Sequence, residues 1–162
     1  MAAPTRKYME DALLAVKDYL DDNLNTMLAT IRSERGSTDT PPNPGVISKG
    51  RTMKNLFPKV QLLPDTSPHD YGDQDYAAFV EAWVVHNIVI SVTHRSANVD
   101  IVEDTLLRYS EAINRLQEDD DTFGNAFVWV RIRDEDWSPM ITSQEERQMT
   151  GTLIVPIECS TT

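Results

Sequence analysis

The sequence predicts an α+β domain: a mainly antiparallel sheet with two helices packed on one face, carrying a long extended arm rich in proline and glycine. Three observations predict it. Two stretches repeat apolar residues every three or four positions, several shorter runs are rich in Val and Ile, and prolines and glycines crowd the segment between the first helix and the longest strand. At 162 residues the chain is long enough for one domain with a substantial core and too short for two comfortable ones. Residues 1–162 are therefore expected to form a single domain, with 36–80 as an arm inserted between helix and strand.

Leu13, Val16, Leu20, Leu24, Met27 and Ile31 fall on one stripe of a helix, with Thr5 as a candidate N-cap and Gly36 as a stop signal. From Gly36 to Val80 regularity fails. This stretch holds six of the nine prolines and four of the six glycines, including Pro41-Pro42-Asn43-Pro44-Gly45. Only Lys59–Leu63 reads as a short strand, ended by Pro64. Such a long irregular segment in a compact domain suits a binding arm or lid.

Glu81–Arg95 predicts a long strand. Ala82, Val84, His86, Ile88, Ile90 and Val92 share the face assigned to the core; Trp83, Val85, Asn87, Val89, Ser91 and Thr93 share the other. Asp100 and Glu103 have capping-box spacing, and Val102, Leu106, Tyr109, Ile113 and Leu116 then define a second amphipathic helix. Its end, Glu118-Asp119-Asp120-Asp121, sets acids against the negative end of the helix dipole, as a solvated turn or a surface kept for a partner. Ala126–Arg133 alternates Val128, Val130 and Ile132 with Trp129, Arg131 and Arg133, the pattern of a half-buried strand. Asp134–Met149 reads as a long acidic hairpin containing Trp137, and Gly151–Glu158 as the last strand.

Composition excludes several classes. With 40% hydrophobic and 25% charged residues the chain has globular, not disordered, character. The apolar-rich stretches Ala82–Val92 and Leu153–Ile157 fall short of a bilayer span, and Met1–Glu10 holds no signal-like apolar run. No membrane association and a reducing, cytosolic setting are expected. The single cysteine, Cys159, excludes an internal disulfide and a cysteine-based structural zinc site. A net charge of −11 argues against tight nucleic-acid binding.

No residue pattern points to catalysis. The six glycines never approach a phosphate-loop spacing, and His69, His86 and His94 form no zinc-ligand motif. His86 and His94 share a strand face but stand eight residues apart, beyond a common metal, and read as partly buried or edge histidines. Cys159 is expected near an exposed terminus without a histidine neighbour in sequence. Asp70, Asp73 and Asp75 lack the terminal glutamate of a calcium loop. Neither an enzymatic activity nor a cofactor nor a resident metal is expected.

Charge is unevenly spread. Six of fifteen basic residues lie between Arg32 and Lys59, against only Glu34 and Asp39, whereas fourteen acids face five basic residues from Asp100 onward. A basic arm and an acidic body suit head-to-tail contact between copies; a solvated loop is the plainer alternative. The candidate interface residues are Arg35, Lys49, Arg51, Lys54 and Lys59, with Trp83, Val85, Trp129, Arg131 and Trp137 as apolar or sheet-face contacts.

The run His86–Val92, the helix Leu106–Leu116, Thr122-Phe123-Gly124-Asn125 leading into a strand, and the closing Gly151–Ile157 together resemble the tail terminator (tail-completion) proteins of long-tailed bacteriophages. The likeness is one of pattern and layout over about two thirds of the chain. The resemblance implies a virion protein of the head–tail junction, assembled in the host cytoplasm. It would form a homo-hexameric ring that caps the tail tube protein, ends its polymerisation and meets the head–tail connector. DNA would pass through the lumen without tight binding, past acids from Asp119, Asp120 and Asp121 or from Asp134, Glu135 and Asp136. A neck or head-closure connector is the alternative within assembly, and a small ligand-binding or enzymatic α+β domain the alternative from another class.

Overall fold

The computed structural model describes residues 8–36, 41–65, 84–133, 136–138, 144–145 and 147–161. In chain order they form helix α1 (Met9–Arg35), strands β1 (Val46–Lys49), β2 (Lys59–Pro64) and β3 (Val84–Ser96), and helix α2 (Val99–Asp119). Strands β4 (Trp129–Ile132), β5 (Asp136–Ser138), β6 (Gln144–Glu145) and β7 (Gln148–Thr161) follow. The strands make one sheet in the order β1-β2-β3-β7-β4, with β5 and β6 also paired to β7. Every pairing is antiparallel except β1 with β2. The fold is of the α+β class.

The centre of the sheet is the β3–β7 pair, in register over thirteen residues from Val84↔Thr161 to Ser96↔Met149. Ile88, Ile90 and Val92 on β3 stand opposite Ile157, Val155 and Leu153 on β7, and all six are buried. They share one core with Leu20, Leu24, Leu28 and Ile31 of α1 and Leu106, Tyr109 and Ile113 of α2. This is the stripe pattern read from α1, with Leu28 added and Met27 only partly buried. Along β7's other edge β4, β5 and β6 pair in succession. From Ile132 to Asp136 the register advances four residues against three on β7, Ile157 to Ile154.

Helix ends differ from the sequence expectation. Thr5 lies outside the described residues, and the N-cap of α1 is Tyr8, whose N–H donates to the Asp11 carboxylate at 3.4 Å. Gly36 does end α1, with φ of 76°. For α2 the cap is Asn98 and not Asp100: the Asn98 side-chain oxygen accepts the Asp100 N–H at 2.9 Å, placing Asp100 in the first turn.

The arm is corrected in part. Val46–Lys49 is a strand, parallel to β2 and at the edge of the main sheet. The stretch before it is tied to both helices. The Arg32 Nε donates to the Pro41 carbonyl at 2.5 Å, and the buried Tyr109 hydroxyl donates to the Pro42 carbonyl at 2.8 Å. Residues 41–65 thus belong to the body of the domain, because the proline carbonyls, which need no N–H of their own, still accept hydrogen bonds from it. Residues 37–40 and 66–80 lie outside the described residues.

Candidate interaction surfaces

Two of the five basic interface candidates form ion pairs within the chain, and Lys59 donates to the Thr52 carbonyl at 3.4 Å. Arg35, in the last turn of α1, pairs with Glu111 at 2.9 Å, and Lys49 pairs with Glu10 at 2.5 Å. Glu111 also accepts from Arg108 and Arg115, and Arg115 reaches Glu34, so one network joins the two helices. Burial works against the charge on Glu111, yet hydrogen bonds from Arg108 and Arg35 hold its carboxyl below the usual carboxylate range. These two basic residues therefore join elements of one subunit.

Arg51, Lys54 and Lys59 differ. Arg51 and Lys54 are exposed in the β1–β2 loop, residues 50–58. That loop is held at several points. The Gly50 N–H donates to the Leu62 carbonyl at 2.8 Å, the Gly45 N–H to the Pro58 carbonyl at 2.8 Å, and the Thr52 N–H to Gln61 Oε1 at 3.0 Å. A Cβ at Gly45 would stand 2.7 Å from the Leu56 carbonyl carbon, so the loop closes onto the start of β1 and needs glycine there. The Lys59 ammonium lies 5.3 Å from the Phe57 ring centroid and the Arg95 guanidinium 4.9 Å from it. Despite this anchoring the loop presents Met53 96% exposed and Leu56 51% exposed.

On the sheet face opposite the core, Val85 and Trp129 both stand opposite Ser160, and Arg131 opposite Glu158. The sequence candidates Val85, Trp129 and Arg131 are thus brought to one corner of the sheet. Val85 and Trp129 are half-buried, and the Arg131 guanidinium covers the Trp129 ring at 4.5 Å. Trp83 lies outside the described residues. Trp137 lies on β5 at the register of Leu153, away from that corner.

The acidic candidates separate likewise. Asp134 and Glu135 lie outside the described residues, and Asp136 opens β5 opposite Ile154. Asp119, Asp120 and Asp121 end α2 and begin the turn to β4. Asp120 organises that turn. Its carboxylate accepts the Thr122 hydroxyl at 2.6 Å and the N–H groups of Thr122 at 3.0 Å and Gly124 at 2.7 Å. The Thr122 hydroxyl and these backbone donors hold the Asp120 carboxyl below its ordinary range, against the opposing effect of burial. An Asp120→Ala variant is expected to lose about 1 kcal/mol at neutral pH, the scale of a lost side-chain cap. A group whose folded pKa is depressed contributes stability above its unfolded value, about 3.9, and loses it as pH falls through the folded value. The gap between wild type and variant in urea midpoint should hold at pH 7 and 5 and narrow below pH 4. An equal gap at every pH would remove the charge from this account.

A groove of about 700 Å³ lies between α1 and this turn. Asp18 and Asp22 line it from α1, Asp119 and Asp120 from the end of α2, and Met27 and Leu116 add apolar surface; none of its lining residues is basic. The Tyr19 ring stacks on Phe123 with centroids 4.3 Å apart. Burial, and then the carboxylates of Asp120 and Asp119, raise the Tyr19 hydroxyl pKa. Sequence reasoning singled out Asp119–Asp121 but missed Asp18 and Asp22, which read as an ordinary solvated helix face.

Cys159 corrects its expectation. It is fully buried in β7, in register with His86 on β3 and Val130 on β4. Burial, and then Glu158, push the thiol pKa far up, which favours the protonated thiol. His86 and His94 are also buried, on a central strand and not an edge, and burial lowers the His94 pKa. Among the described residues no group of three or more His, Cys, Asp or Glu could hold a metal ion, and no helix is long and apolar enough to cross a membrane. No protein-family model, curated protein or solved structure matches the chain.

Proposed function

We propose that this chain is a structural virion protein of the tail terminator kind. It assembles with copies of itself into a hexameric ring that caps a tail tube, ends the tube's growth and meets the head connector. The observation that carries the assembly reading is the segregation of charge on one subunit. An anchored basic loop with an almost fully exposed methionine joins β1 to β2, and an acidic groove lies between α1 and the end of α2. Unlike surfaces on one subunit favour heterologous, head-to-tail contact, the kind that closes rings. The role at the end of a tail tube comes from the likeness of Thr122–Asn125, Gly151–Ile157 and the helix-first order to that family. Asp121, exposed just beyond α2, would keep DNA from adhering, since a like-charged wall releases no counterions.

Particle mass and symmetry test this reading. The purified chain, alone or with its tube protein, is expected at about six times 18.3 kDa by light scattering, with six-fold rings in electron micrographs. Exposed charge pairs are screened over about 8–10 Å at physiological salt, so raising the salt to 1 M should loosen the ring. A particle that remains a monomer at every concentration, with and without tube protein, would sink the proposal.

A further inference from the structure

We propose that the β1–β2 loop of one copy docks into the acidic groove of the next, and that this contact is the repeating junction between subunits. The inference deepens the ring reading and rests on it. The loop ends at Lys59, which pairs with Thr93 near the end of β3, and its Phe57 ring meets Arg95; α2 begins a few residues later, at Val99. The groove is lined by Leu116, Asp119 and Asp120 at the far end of α2. No residue of the loop lines the groove, so the loop does not fill it within its own subunit.

The surfaces match in chemistry. The loop offers Arg51 and Lys54 flanking Met53, with Leu56 beside them. The groove offers Asp18, Asp22 and Asp119 around apolar Met27 and Leu116. A methionine side chain adapts to an irregular apolar floor while the flanking cations meet the acidic walls. The loop is fastened through Gly45, Gly50 and Thr52 before any partner arrives, so less conformational freedom is lost on docking. Asp120 is already engaged by Thr122 and Gly124, which leaves Asp18, Asp22 and Asp119 as the acids that receive the loop.

Two charge-reversed variants of the full chain test the junction. One carries Arg51→Glu and Lys54→Glu; the other carries Asp18→Lys and Asp22→Lys. All four positions are exposed, and circular dichroism verifies that each variant folds. Each variant alone is expected to stay at 18.3 kDa where the wild type assembles. Mixed in equal amounts, the first variant keeps an intact groove and the second an intact loop. The native loop then meets the native groove, and the reversed loop of the first variant meets the reversed groove of the second. Both junctions carry opposite charges, so native mass spectrometry should show larger assemblies holding the two variants in equal number. Variants that assemble as the wild type does, or that never pair when mixed, overturn the docking. Open filaments from the wild type, with assembly restored when the two variants are mixed, would uphold the docking and overturn the ring. Six-fold rings from both variants would do the reverse.

Discussion

An Ile90→Ala variant is expected to lose about 2–5 kcal/mol of folding stability, the range for emptying a buried aliphatic site. Ile90 has no exposed surface and sits in the middle of a three-strand row, opposite Leu62 on β2 and Val155 on β7. Neighbours held by ladders on both sides have little freedom to collapse into the space left behind, which puts the loss in the upper half of that range. For a domain of this size each kcal/mol lowers the melting temperature by roughly 2–4 °C. Urea titration should show a lower midpoint at unchanged slope, since the surface exposed on unfolding stays the same. A loss under about 1 kcal/mol would show that the core is not centred on this row.

Gly151→Val is expected to cost about 1–3 kcal/mol for a different reason, overpacking. Gly151 is buried in β7 opposite His94, and the first turns of α2 press directly on its backbone. A Cβ there would stand 2.7 Å from Val102 Cγ1 and 3.0 Å from Leu106 Cδ1. Either α2 moves off the sheet or the two side chains leave their positions. A Val102→Ala change should recover part of the loss, so the two substitutions combined should cost less than their sum. Strict additivity in thermal melts would show that the helix does not rest on this glycine.

Periodicity made some of this fold legible. The apolar stripe of α1, the buried face of β3 and the core side of α2 follow from spacing alone, because a helix or strand repeats its direction at a fixed interval. Boundaries were less legible. Only Gly151–Glu158 of β7 reads as strand, yet the element runs from Gln148 to Thr161, because the long β3 beside it pairs with polar residues at both ends. Strand β1 escaped notice because four residues after a proline run carry too little alternation, and its pairing with β2 spans a nine-residue loop. Leu28 completes the α1 stripe at four residues from Leu24, a position the spacing already allowed.

The charged residues show the limit. The sequence alone established that cations gather between Arg32 and Lys59, that acids dominate after Asp100, and which faces of the helices and the long strand are apolar. Only the tertiary structure decided that Arg35 and Lys49 pair with Glu111 and Glu10 while Arg51 and Lys54 remain outward in the loop. It also put Asp18 and Asp22 beside Asp119, and carried Cys159 from the chain's end into the core. Apolar faces are written in local spacing because each element must bury its own stripe. The partner of a charge is set by distance in space, and Arg35 and Glu111 stand 76 residues apart in the chain.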